Sequence, residues 1–206
     1  MFFVECVKAE DYDCALSACA IDEIADGFDY EAMAKWLRIL SPTSRYLPSE
    51  YGLFAAFNRH SLEYLILWQL SWMALSVVLP PEYGALLEMR ILLDSTVDFD
   101  DVVSDMDPAT MLRLEIVEIG RSHLLDTERN EEYLAQQADI YAAQAATSRA
   151  VLYEIDGEYY VGGVQLLQYG GNWLITSLQD PLINQPSTGV LIRVNGPSEF
   201  DVLLNE

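Results

Sequence analysis

AVLYEIDGEYYVGGVQLLQYGGNWLITSL, residues 150–178, is the stretch on which the fold turns. It holds three apolar runs, Ala150–Ile155, Glu158–Gln168 and Asn172–Leu178, separated by Asp156-Gly157 and Gly170-Gly171. Two such residues between β-rich runs supply the positive φ angles that a tight hairpin turn requires. Three strands joined this way form an antiparallel meander. Alternation sends Tyr159 and Tyr160 to opposite faces of it. Gly162-Gly163 gives up packing in the middle of the second run, so a bulge or sharp bend is expected there.

Working outward, LRLEIVEI (Leu112–Ile119) alternates as a further strand, with Leu112, Leu114, Ile116 and Val117 supplying bulk. Asp126 or Thr127 is placed to cap a helix running to about Ala146, with Leu134, Ala138, Tyr141 and Ala145 on its inner stripe. The chain before residue 80 reads as helical. Helices are expected over Phe2–Lys8 and Asp11–Ala20, and Asp29 caps a third whose Met33, Trp36, Leu37 and Leu40 share one face. A long helix follows from Asn58 to Leu79, stopped by Pro80-Pro81. Its C-terminal half is apolar all round, which predicts cover on most sides. Tyr64–Leu79 carries no charge, but it falls short of the roughly 20 residues a membrane span needs and is read as a core helix.

The expected architecture is a single α+β domain over residues 1–206, with helices packed on a curved antiparallel sheet. Within it, 1–80 is mainly helical, 82–110 an acidic irregular segment, 111–178 a strand, helix and meander, and 179–206 a tail packing on the domain.

Composition narrows the function. The 206 residues include 33 acids and 11 bases, a formal charge of −22, and 51% are hydrophobic. That hydrophobic share excludes global disorder. The charge repels phosphate, so no nucleic-acid partner is expected. Lys8 and Lys35 are the only lysines. Cys6, Cys14 and Cys19 lack CxxC spacing and nearby histidines, which argues against zinc. Along one continuous helix Cys6 and Cys14 would lie about 12 Å apart, beyond disulfide reach, and buried thiols are the resulting expectation. The opening MFFVECVKAEDYD lacks the basic n-region and apolar run of a signal peptide.

FVECVKAEDYDCAL (3–16) resembles the opening of many nuclear transport factor two-like domains, in which one helix ends at a corner and a second begins. GGNWLITSL (170–178) is similar to their last strand. IDGEYYVGGVQLLQY (155–169), FDYEA (28–32) and LPSEY (47–51) resemble segments of a group of bacterial proteins of that superfamily, often exported. The resemblance implies a cystatin-like cone, a curved sheet wrapped around N-terminal helices with a pocket inside. The chain as it stands is expected to be cytoplasmic, and extracytoplasmic if an export signal precedes Met1, where the first helix of the resemblance starts short. The cone hosts unrelated activities, so the fold does not carry a function with it.

The candidates for chemistry are few. GxSxG, HExxH, GxGxxG and Walker motifs are absent, and no cofactor is expected. His60 and Glu63 share a helix face and form the catalytic candidate pair, weighed against a solvated first turn beside Arg59. His123 reads as an exposed loop residue. Asp98, Asp100 and Asp101 are the metal candidates, but Val102 and Val103 stand where a calcium loop needs an acid or amide and a glycine, so a solvated acidic loop is the preferred reading. Ligand-binding candidates are the aromatics Trp68, Trp72, Tyr141, Tyr153, Tyr160 and Trp173, weighed against ordinary core packing.

These readings favour a non-enzymatic binding or interaction module for a small apolar ligand or protein partner. The alternative is a small cone enzyme of isomerase, dehydratase or hydrolase type using an inward carboxylate or His60. A weak homodimer is also expected through the outer sheet face, with Tyr153, Tyr159 or Tyr160, Val164, Leu166 and Ile175 in the contact.

Overall fold

A computed structural model describes residues 2–38, 46–78, 100, 104, 106–180 and 191–205. Asp98 and Asp101, and most of the acidic segment, lie outside the described residues.

The N-terminal region is a series of short helices. α1 (Phe2–Lys8) stops where Glu10 takes a positive φ of 54°, and α2 (Tyr12–Ser17) starts behind Asp11, whose Oδ1 accepts from Cys14 N–H at 3.0 Å. The corner folds α2 back on α1 and brings the Cα atoms of Cys6 and Cys14 to 5.5 Å, where a disulfide joins them. The expectation of free thiols is corrected here. The 12 Å separation holds only along a continuous helix, and the helix is broken between the two cysteines. Cys19 is a buried free thiol.

α3 (Ile21–Gly27) was not anticipated. Its Ile21, Ile24 and Ala25 are buried. α4 (Tyr30–Leu37) begins as expected at Asp29, which accepts from Ala32 N–H at 2.8 Å, and ends at Arg38 in the left-handed region. α5 (Gly52–Val78) starts six residues before its expected first turn. Its 27 residues are long and apolar enough to cross a membrane by length and composition. In this fold Leu62, Ile66, Met73 and Val77 point into the core. The expected cover holds over the C-terminal half, where Gln69, Met73, Val77 and Val78 are buried and most of their neighbours half-buried, whereas Leu53, Phe57, Tyr64 and Leu67 earlier in the helix are exposed along one side.

A 3-10 turn, Pro108–Arg113, takes Leu112 and Arg113 from the start of the expected strand, and β1 (Glu115–Gly120) begins only at Glu115. After a second 3-10 turn, His123–Asp126, comes α6 (Glu128–Ile140), capped by Thr127. It ends earlier than expected, and Ala145 and Ala146 belong to β2 (Ala145–Ile155). β3 (Glu158–Tyr169), β4 (Asn172–Ser177), β5 (Ile192–Val194) and α7 (Pro197–Asn205) complete the described elements.

Among the described residues the sheet is antiparallel, in the order β1-β2-β3-β4, with β5 also paired to β3. Both predicted turns form, with φ of 54° and 85° at Asp156 and Gly157 and of 56° and 86° at Gly170 and Gly171. The expected bulge at Gly162-Gly163 is absent from the β2–β3 register, which runs unbroken from Ala145↔Gln168 to Ile155↔Glu158. The change lies on the other edge of β3. Residues 159–161 pair with β5 and 165–169 with β4, and the two glycines fall in the gap between these partners. The outer edge of β4 is covered by the α2–α3 connection, where Ala20 N–H donates to Ile175 C=O at 2.8 Å and Ile175 N–H to Ala18 C=O at 3.0 Å.

The central strands β2 and β3 are covered on both sides. Val151, Tyr153, Ile155 and Tyr160 pack inward against the helices. Ala150, Leu152, Val161 and Tyr159 form an outer cluster with Phe200 of α7, which is fully buried. Tyr159 and Tyr160 thus lie on opposite faces, as alternation requires. Of the residues expected on the outer face, Tyr153, Val164 and Ile175 pack inward instead, and Tyr159 lies under α7. His123 is part of the same arrangement: its Nδ1 meets Leu204 C=O at 3.1 Å, tying the end of α7 to the turn after β1.

Candidate functional site

A cleft of about 310 Å³ opens between α4, α5, α6 and the end of β4. The helices present one face of apolar and aromatic residues toward the sheet, and the cleft is where these faces do not close completely. Met33, Trp36 and Leu37 come from α4, Leu65 and Gln69 from α5, and Tyr133, Gln137 and Ile140 from α6. Phe28, Tyr46 and Tyr141 add three rings. Gln165, Thr176, Ser177 and Gln179 form the polar side.

The rings form two groups. Phe28, Tyr46 and Tyr141 meet with centroids 5.1 to 6.1 Å apart, the Tyr46–Tyr141 contact being edge-on at 83°. Trp36 faces Tyr133 at 5.8 Å across the α4–α6 contact. Both spacings suit tilted aromatic pairs. Tyr141 is held further by the Tyr169 hydroxyl, which donates to its carbonyl at 2.7 Å.

The polar side is organised by Gln69, which is 1% exposed. Leu178 N–H donates to Gln69 Oε1 at 2.8 Å. Gln69 Nε2 then donates to Ser177 Oγ at 2.9 Å and to Gln179 Oε1 at 3.2 Å. Gln179 N–H also donates to Ser177 Oγ, at 3.1 Å. Gln179 Nε2 is buried without a hydrogen-bond partner among the described residues. A second hollow of about 540 Å³ adjoins the cleft through Tyr133 and Gln165 and continues along α6 past Arg129, Asn130 and Thr127, with Ser148 and the buried Asp180 opposite.

Among the described residues the lining of the first cleft carries no carboxylate, imidazole or cation. Its titratable groups are tyrosines. Burial, and after it the charge of Asp180, push the Tyr133 hydroxyl above its ordinary value, against a hydrogen bond with Gln165. At neutral pH the lining therefore offers rings for stacking, amides and neutral hydroxyls.

Of the sequence candidates, Tyr141 lines the cleft. Tyr153 is a core residue of β2, and its hydroxyl is raised by burial. Tyr160 pairs across from it and packs on the same core. Trp173 is 44% exposed on β4. Trp68 and Trp72 meet edge-on at 6.1 Å on α5, and neither is among the residues lining the cleft. His60 and Glu63 do come together, His60 Nδ1 lying 3.0 Å from Glu63 Oε2, on an exposed side of α5 outside that lining. Asp100 is exposed, and no cluster of three or more possible metal ligands occurs among the described residues.

Sequence reasoning missed Gln69, Tyr133, Gln165, Ser177 and Gln179. One signal was available: Gln69 is a long amide inside an uncharged apolar run, and a buried amide there needs partners.

No family model matches the chain, and no curated protein matches it either. Among solved structures it is similar to a cystatin-like protein from Ruminococcus gnavus ATCC 29149, with a TM-score of 0.57 and 20% identity. That likeness covers 95% of this chain and 43% of the other, so the chain spans less than half the length of that protein. The shared feature is the fold: helices and a curved antiparallel sheet in the cystatin-like, nuclear transport factor two-like cone.

Proposed function

We propose that this chain is a ligand-binding module of the cone fold, taking a small, mostly apolar, ring-bearing molecule into the cleft between α4, α6 and β4. The observation that carries the reading is the cleft itself. It has a volume of about 310 Å³, with Phe28, Trp36, Tyr46, Tyr133 and Tyr141 on its walls and a few amides and hydroxyls at one side. Binding sites for small molecules are typically concave, apolar and aromatic, with a small number of placed polar groups. The exported character of the bacterial proteins it resembles is proposed for this chain too, and the Cys6–Cys14 disulfide supports it, because such bonds persist in oxidising compartments.

Titration with neutral single-ring compounds, followed by tryptophan fluorescence, tests the binding reading. Saturable quenching is expected, and it should be lost in Trp36→Leu while the fold, monitored by circular dichroism, is kept. The absence of saturable binding to a folded protein would remove the proposal. Alkylation of cell fractions from the organism that makes the protein tests export, since a protected Cys6–Cys14 pair is expected only outside the reducing cytoplasm.

A further inference from the structure

We infer that the cleft selects a ligand bearing a neutral carbonyl oxygen, which Ser177 and Gln179 receive as paired hydrogen-bond donors. The inference rests on the cleft-binding reading and goes one step beyond it, to the chemistry of the ligand.

The argument begins at a backbone amide. Leu178 N–H can only donate, so the atom of Gln69 that it meets must be the oxygen. Gln69 Nε2 is therefore the donor toward Ser177 Oγ and Gln179 Oε1. The second contact fixes Gln179 in turn. Its oxygen accepts from Gln69, which leaves its NH2 group facing elsewhere, and that group has no partner among the described residues. Ser177 is constrained from two sides. Its oxygen accepts from Gln69 Nε2 and from Gln179 N–H, so both lone pairs are engaged and its hydrogen remains to donate.

Ser177 ends β4 and Gln179 follows the bend at Leu178, its own N–H turned back onto Ser177 Oγ, and both side chains line the cleft. One backbone N–H has propagated through two amides to create a pair with donor capacity and little capacity to accept. An unsatisfied buried donor carries a cost that an arriving acceptor removes. The broad terminal torsion of a glutamine amide allows the modest turn that brings Gln179 Nε2 to a cleft oxygen.

An acceptor-only oxygen complements donors better than a hydroxyl, whose own hydrogen would be left against the rings. Charge decides between a carbonyl and a carboxylate. No cation lies in the cleft lining among the described residues, Asp180 adjoins Gln179, and the chain carries −22. An anion is disfavoured, and a ring-bearing ketone, ester or amide fits.

Acetophenone, ethylbenzene and benzoate share a ring and differ at the oxygen, so they test this by chemical-shift titration. Acetophenone is expected to bind about fivefold tighter than ethylbenzene, the effect of one net neutral hydrogen bond, with benzoate weakest. In Ser177→Ala the ratio should fall toward one. Because that variant also takes an acceptor from Gln69, Gln179→Leu provides a second, independent reduction of the ratio. Equal binding of acetophenone and ethylbenzene overturns the inference and leaves the cleft reading standing. A ratio unmoved by either substitution, or benzoate as the tightest of the three, overturns it as well. If none of the three shifts the Trp36 and Tyr133 signals, both readings fall.

Discussion

Replacing Gln69 by leucine is the most informative single perturbation of this molecule. Gln69 lies on α5, buried to 1% exposure, and reaches across to Ser177, Leu178 and Gln179, more than 100 residues later in the chain. Leucine fills a similar volume but can neither accept nor donate. The Leu178 N–H would lose its acceptor inside the protein, a loss of about 1–3 kcal/mol. Ser177 Oγ and Gln179 Oε1 would each lose a donor, but both line the cleft, where water can replace part of the bond. Burying leucine in place of an amide returns roughly 1 kcal/mol. The net destabilisation is about 2 kcal/mol, and for a chain of this length that lowers Tm by roughly 4–8 °C. Gln69→Glu sharpens the test. A protonated carboxyl can accept from Leu178 N–H and donate to Ser177, as the amide does, whereas a carboxylate can only accept. Burial raises the pKa of that acid in the folded state, so the variant should be near wild type below about pH 4 and lose stability as pH rises above it. Thermal unfolding across pH for the three proteins reads this directly. A Gln69→Leu variant as stable as wild type, or a Gln69→Glu variant with no added pH dependence, would show that the α5–β4 connection does not hold the cleft together.

Phe200→Ala should cost about 3–5 kcal/mol by opening a cavity under α7, seen as faster proteolysis of residues 197–205. Gly120→Val should act in the same direction, because a Cβ at Gly120 would overlap the Leu204 side chain of α7. Alkylation of the unfolded protein without reductant should label Cys19 alone, and reduction of Cys6–Cys14 should cost about 2.5 kcal/mol for so short a loop. Burial pushes the Cys19 thiol up from 9.0 to about 12, and Tyr153 and Tyr169 are raised by burial too, Tyr169 also by Glu23. Groups raised in the folded state contribute stability that is present below their unfolded values and lost as pH rises. Stability should therefore fall from about pH 9 toward pH 12, less steeply in Cys19→Ala.

What could be read from the sequence was mostly local. Asp156-Gly157 and Gly170-Gly171 carry their turn conformation in their own steric freedom, and Asp29 announces α4 through one side-chain oxygen. The α+β class followed from the meander they define, and the cone from the family resemblance. Features that depend on distant partners were not legible. Gly162-Gly163 mark a change of partner on one edge of β3, and one of those partners, β5, begins at Ile192. The disulfide depends on a single positive φ at Glu10, a residue with no intrinsic preference for it. The cleft draws its walls from α4, α5, α6 and β4, so no window of sequence contains it. Tyr141 was found because aromatics are conspicuous. The glutamines were not, because an amide is ordinary on a surface and tells nothing until its burial is known.

The outer cluster beneath α7 has a consequence for the order in which the protein is made. A ribosome delivers β2 and β3 well before residues 192–204, so the hairpin emerges with Ala150, Leu152 and Val161 uncovered on one face and β5's place along β3 unfilled. An apolar face beside an unpaired strand edge is the kind of surface on which nascent chains stick to one another. Phe200 closes it last. A chain cut shortly before Phe200 would keep the whole β2–β3 hairpin and still leave the sheet without its outer layer, so such a truncation should be nearly as damaging as one within the hairpin itself.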